Sequence, residues 1–207
     1  VFGQVDIDMI AGPSEIGVIA ADSANPVHLA ADLLSQAEHD PRARAIMVTT
    51  SEKLANAVSD EVERQLKLLP RESIARPAIE NNSYIAVMDS VEDMFTIMNE
   101  VAPEHLEIQL PDPMSYMSLV QNAGSVFLGA YASEPLGDYL GGTNHVLPTS
   151  GTARFSSPLG VYDFVKRTSF TQFTKERLEE VATHITTLAR TEGLEAHARA
   201  IEVRFEK

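Results

Sequence analysis

The chain has 207 residues, 44% hydrophobic and 22% charged, with 30 acidic against 16 basic side chains and a net charge of −14. That suits a folded protein with one sizeable core, or one core and a smaller appendage, and no apolar run approaches the ~20 residues of a membrane span. The acidic surface disfavours a nucleic-acid partner; without cysteine there are no disulfides or thiolates, a reducing cytoplasm is compatible, and any metal must be held through nitrogen and oxygen.

A strand-like segment, Val5-Asp-Ile-Asp8, starts almost at once, which reads as a chain cut from something longer. Ile16 to Ala21 is expected to form a buried strand. Asn25-Pro26 supplies an N-cap and a first-turn proline for a helix to about Glu38. Ala45 to Thr50 reads as a second strand, and Ser51 caps a helix whose apolar positions Leu54, Val58, Val62 and Leu66 recur every four residues. Tyr84 to Met88 is a third strand, and Ser90 with Asp93 forms a capping box opening a helix to about Asn99. Leu106 to Leu110 is a strand, Pro113 to Gln121 a helix and Ser125 to Leu128 another strand. This alternation predicts an α/β fold, a mostly parallel sheet with helices on both faces like an incomplete Rossmann fold, followed by a small helical C-terminal tail. From Gly129 to Pro158 glycine and proline replace any helical periodicity, the texture of a functional or irregular segment. Beyond Pro158 the chain reads as helical, Thr174 capping a run to about Arg190 and a short helix following Gly193. The expected units are therefore 1–158 and 159–207. Neither G-x-G-x-x-G nor G-x-x-x-x-G-K-[ST] occurs after any strand, so the usual dinucleotide fingerprint is missing.

Several groups of residues could carry chemistry. Glu104 and His105 are adjacent after Pro103, two proton acceptors with ordinary pKa values of ~4.3 and ~6.5. Pro103 should push Ala102 out of the helical region and set the pair at a helix-to-strand junction. The bland alternative is a surface glutamate beside a half-buried histidine. Asp32, Gln36 and His39 share one helix face by spacing, and Gln36 with His39 could chelate a cation. Chemistry alone favours Asp32 over Gln36 as a ligand, and a solvated polar face explains the same pattern. Asp138, Asn144 and His145 fall within one glycine-rich loop, which could equally be a plain surface turn. Glu192 and His197 lie near a short helical element; His28 and His184 stand apart and read as solvent-facing.

In order, the segments Ile7 to Glu15, Asp32 to His39, Ala102 to Leu106, Gly137 to Tyr139, Asn144 to Thr149 and Glu192 to His197 resemble the histidinol dehydrogenases over nearly all 207 residues. The similarity is to the C-terminal half of that family's longer chain and implies a fragment. It implies oxidation of L-histidinol to L-histidine through the aldehyde, with two NAD⁺ used in succession at a zinc site. The resemblance makes Gln36, His39, Asp138 and His197 the Zn²⁺ ligands, overruling Asp32, with His197 supplied across a homodimer. Ser14 and Glu192 match substrate-binding positions, Glu192 also reaching the partner's site, and the metal ligands together with His105 complete the substrate set. His105 corresponds to the base for the alcohol proton, and Glu104 to the base that activates water. Thr143 departs from the family, which has proline there. The family's nicotinamide residues lie mainly in the half this chain lacks, so the chain alone is expected not to turn over NAD⁺. A zinc hydrolase would use the same N/O ligands and glutamate base, and a non-catalytic dimerisation scaffold is the other alternative.

Overall fold

In the computed structural model, which describes residues 3–206, the apolar run after Ser14 becomes the centre of a sheet. Strand β1 (Glu15–Ala20) is buried at every position and pairs with β2 (Arg44–Thr49) on one side and β4 (His105–Gln109) on the other. Strands β3 (Tyr84–Val87) and β5 (Ser125–Leu128) are the edges, giving the order β3-β2-β1-β4-β5 with every pairing parallel. A central parallel strand covered on both faces has no solvent side, which is why β1 reads as an unbroken apolar run rather than an alternating one.

The helices follow their local signals. In α1 (Pro26–Ala37) the Asn25 side chain accepts from the Val27 N–H, and in α2 (Glu52–Leu66) Ser51 accepts from the Leu54 N–H. Leu54, Val58, Val62 and Leu66 are all buried, as their spacing requires. A third helix, α3 (Glu72–Asn82), escapes a periodicity reading because it contains Pro77 and buries only Ala75 and Ala78. In α4 (Val91–Val101) Ser90 caps the Asp93 N–H. One core joins Ile16, Val18, Ala45 and Met47 to Leu29, Leu33 and Val58. The other joins Ile19, Val48, Leu106 and Ile108 to Met94, Phe95 and Met98. The sheet therefore carries helices on both faces.

Four local expectations are corrected. Val5 to Asp8 is not a strand: Val5 makes an isolated bridge and the segment is exposed, two aspartates in four residues leaving no face to bury. Pro113–Leu119 is a 3-10 helix, without a buried residue to support a longer α-helix. The glycine-rich segment contains a helix, α5 (Glu134–Tyr139), too short to display a 3.6-residue period. The helical run expected directly after Pro158 is delayed; a 3-10 turn, Val161–Phe164, comes first.

The chain divides into two compact units, one ending at Val165 and one starting at Lys166, where the sequence reading drew the line at Pro158. The second unit holds α6 (Lys175–Thr191), capped by the Thr174 hydroxyl, and α7 (Glu195–Glu202). Gly193, at φ +75°, makes the break between them. Arg190 of α6 lies 2.9 Å from both Glu195 and Glu202 of α7. No helix among the described residues is long and apolar enough to cross a membrane.

Candidate functional site

Ligands of open parallel sheets usually lie beyond the carboxyl ends of the strands. Here the titratable side chains gather at the opposite edge. Glu15, Arg44, His105 and Ser125 are the first residues of β1, β2, β4 and β5. Helix α1 starts beyond the carboxyl end of β1 and runs back towards the start of β2, so its last turn carries Gln36, and the turn that follows carries His39, to this same edge.

Glu104 and His105 are set by a sharp exit from α4. Ala102 is forced out of the right-handed helical region, as a residue before proline should be, but into the left-handed region (φ 51°, ψ 59°) rather than the extended one. Its N–H still bonds Met98 O at 2.9 Å, closing the helix as the chain turns into β4. Close approach of the neighbouring strand depends on Gly124, where a Cβ would lie 2.5 Å from the Glu104 carbonyl oxygen.

The pair is buried, 8% exposed at Glu104 and 4% at His105, which removes the surface-glutamate alternative. One residue's backbone orients both groups. The Glu15 N–H donates to Glu104 Oε2 at 3.0 Å, and the Glu15 carbonyl accepts from His105 Nδ1 at 3.1 Å. A carbonyl cannot donate, so Nδ1 carries the hydrogen and Nε2 the lone pair. Burial holds His105 below its ordinary pKa, opposed by that hydrogen bond, so the ring is a neutral base at neutral pH. Burial pushes Glu104 up to about 7, against the lowering effect of the Glu15 N–H. Glu104 can therefore take up or release a proton near neutrality.

Opposite His105 stands α5, which presents Glu134 and Asp138 one turn apart. Ligating atoms of His105, Glu134 and Asp138 all lie within 4.8 Å of one another, a group able to hold a metal ion. Glu134 Oε1 is 3.7 Å from His105 Nε2 and has no hydrogen-bond partner, although the residue is only 1% exposed. Burial, and then the Asp138 charge, push Glu134 up to about 8. Gln36 is 1% exposed and its Oε1 is also unpartnered. An orphaned buried acceptor costs ~1–3 kcal/mol unless something binds it. His39 is exposed, its Nδ1 2.9 Å from Ser35 O, which leaves Nε2 as the free acceptor.

The remaining expected residues are placed as follows. Ser14 is half-buried just before β1, its carbonyl accepting from the Arg44 N–H. Glu192 caps the end of α6 and His197 lies in α7, both exposed and both on the second unit. Asp32, the ligand favoured on chemistry alone, is buried against Glu107 and takes no part in the metal-capable group. Asn144 and His145 line a tight cleft with His105, Ser125 and Asp138, and His28 and His184 are exposed. Sequence reasoning overlooked Glu134, Glu107 and Glu15. The first could have been found from its i, i+4 spacing to Asp138, the second from the polar alternation His105, Glu107, Gln109 in a strand that should read apolar.

The edge thus combines a neutral imidazole, a carboxyl titrating near neutrality and a set of oxygen and nitrogen donors. That arrangement suits proton abstraction beside a bound cation. Comparison with known proteins bears on the substrate. The family model described as histidinol dehydrogenase matches residues 1–205. The chain is 69% identical over 206 residues to the histidinol dehydrogenase of Lactiplantibacillus plantarum and 63% identical over 207 residues to that of Streptococcus mutans. Each match covers 100% of this chain and 48% of the relative, so the chain spans about half the length of the curated relatives it matches. A crystal structure of histidinol dehydrogenase from Elizabethkingia anophelis aligns with a TM-score of 0.86 at 44% identity, covering 97% of this chain and 46% of that one.

Proposed function

Because the chain belongs to the histidinol dehydrogenase family, we propose that it carries the metal and substrate residues of an enzyme that oxidises L-histidinol to L-histidine in two steps. The observation that supports this best is the shared anchoring of two unlike bases, Glu104 and His105, by the backbone of Glu15 beside the Asp138 donor group.

The nitrogen and oxygen donors can hold Zn²⁺: Gln36 Oε1 is buried without a partner, and Asp138 already lies among ligating atoms. Gln36, His39 and Asp138 would hold the ion, with His197 supplied by a second copy of the chain in a homodimer. When bound, zinc would supply a Lewis-acid anchor for the imidazole and amine of the substrate. NAD⁺, held by the part of the relatives' length outside this chain, would supply the oxidant for both steps.

His105 Nε2, neutral and unprotonated, takes the hydroxyl proton in the alcohol oxidation. Glu104 takes a proton from the water that adds to the aldehyde, so that the hydrate is ready for the second oxidation. Ser14, and Glu192 from the second copy, help to orient the substrate. The burial of both bases keeps bulk water from competing for their protons.

In the full-length protein, His105→Asn should slow oxidation of the alcohol by ~10²–10⁴-fold. Glu104→Gln should instead stall turnover after the first NADH. Wild-type rates in both variants would sink the proposal. For the 207-residue chain by itself, no histidinol-dependent NADH formation is expected, whereas calorimetry should register histidinol binding that chelation of zinc abolishes.

A further inference from the structure

Glu107 stands two residues from His105, is 0% exposed, and has no part in the roles above. Along β4 the side chains alternate. Leu106 and Ile108 enter one apolar core, whereas His105, Glu107 and Gln109 sit beside Ile16, Val18 and Ala20 of β1, on the face covered by α1. A carboxyl placed there is unfavourable unless its contacts compensate.

Those contacts run to α1 and α5, two of the elements that carry candidate metal-binding side chains. Glu107 Oε1 accepts the Glu134 N–H at 2.9 Å. Glu134 opens α5, and Ser133 before it makes no side-chain capping bond, so a strand carboxylate does the work of the missing cap. Glu107 Oε2 accepts from Gln109 Nε2 at 3.2 Å. From α1 the Asp32 carboxyl hydrogen-bonds Glu107, which requires one proton between the two acids. Asp32 lies one turn before Gln36 on α1, and Asp138 one turn beyond Glu134 on α5. A six-residue helix has no stability of its own. Besides this bond, α5 has a close contact with β5, where a Cβ on Gly137 would meet the Phe127 ring at 2.7 Å.

We propose that Glu107 is a positioning residue that ties the start of α5 and the middle of α1 to β4, so that Glu134 and Asp138 stand opposite His105. Its consequence for catalysis rests on the function proposed above; the tie itself does not.

Hydrogen exchange on the chain, free of metal, tests the tie directly in the wild type and in Glu107→Ala, Glu107→Leu and Glu107→Gln. In the Ala and Leu variants, amides of residues 133–139 should exchange about tenfold faster, the factor expected for a lost hydrogen bond of ~1.4 kcal/mol. Amides of β1 and β2 should stay protected. At pH 5, where the ionisation of Glu107 does not separate the two proteins, Glu107→Gln should keep the wild-type pattern, since its amide oxygen can accept from Glu134 and its NH₂ can donate to Asp32 and, once the Gln109 amide turns over, to the Gln109 oxygen. If Glu107→Ala loosens the whole sheet, the Leu variant, which fills the volume without an acceptor, makes the comparison. Unchanged exchange at 133–139 in the Leu variant, or equal acceleration in Gln and Leu, overturns the proposal. Zinc affinity by chelator competition adds a readout that general packing would not move: a loss in Leu with rescue in Gln supports positioning, and a loss of equal size in both refutes it. A wild type that binds no zinc would count against the proposed function while leaving the exchange result decisive.

Discussion

Replacing Glu107 by glutamine should stabilise the metal-free chain, and increasingly so as pH rises. Burial, and then the Asp32 charge, push the Glu107 carboxyl from 4.5 up to about 8. The folded state therefore binds more protons here than the unfolded chain does between those two values. The stability linked to this group is fully present below about pH 4.5 and is lost as pH rises through about 8. At about 1.4 kcal/mol per pH unit, the loss reaches about 3 kcal/mol by pH 7 and approaches about 5 kcal/mol by pH 9. Asp32, also raised by burial, shares that proton, so the part assigned to Glu107 is taken as about 2 kcal/mol. Glutamine has no proton to lose and keeps the oxygen facing the Glu134 N–H. Urea unfolding with chelator present, from pH 5 to 9, is the assay, read from the midpoint at constant slope. The two proteins should be nearly equal at pH 5, and the glutamine variant should lead by about 2 kcal/mol or more at pH 8. A gap that does not change with pH, or one that favours the wild type at pH 8, would refute the reasoning.

Three further outcomes are expected. Gly137→Ala would place a Cβ 2.7 Å and 2.8 Å from two ring carbons of Phe127. The overpacking, ~1–3 kcal/mol, should outweigh the ~1 kcal/mol that alanine adds to a helix, lowering the Tm and weakening zinc binding as Asp138 shifts; an unchanged Tm would show that the ring yields freely. Gln36→Leu removes an unpartnered buried oxygen, so the metal-free chain should gain ~1 kcal/mol while zinc affinity in chelator competition drops at least about tenfold, and a destabilised apo chain would contradict the assignment of that oxygen as a waiting ligand. Ser90→Ala deletes the cap of α4, far along the chain from the donor residues; it should lose ~1 kcal/mol in urea unfolding with zinc affinity intact, and an equal loss of affinity would show that α4 transmits strain to the site.

How much of this molecule could be read before folding depends on the range of the interaction concerned. Helix starts at Asn25, Ser51, Ser90 and Thr174 rest on a side chain reaching two or three residues ahead, and each was legible. The core strands were legible too, since a parallel sheet covered on both sides demands continuous apolar runs. Helix α5 and the 3-10 segment at Pro113–Leu119 were not, because elements this short are stabilised by what they dock against rather than by their own period.

The same division runs through the site. Adjacency on the chain places Glu104 beside His105, and helical spacing places Gln36 near His39. Neither pattern says that both bases hang from the backbone of Glu15, 89 and 90 residues away, or which nitrogen of His105 is free. Nor could spacing reveal that Asp32 is taken up by Glu107 instead of facing a metal, or that the Glu134 and Asp138 pair stands beside His105. The sequence by itself determined the repeating α/β layers and the residue types available for catalysis, because propensity, capping and apolar period act over a few residues. Only the tertiary structure decided which acids are buried together and which proton each holds, because desolvation and charge coupling depend on neighbours that the chain brings together only when it folds.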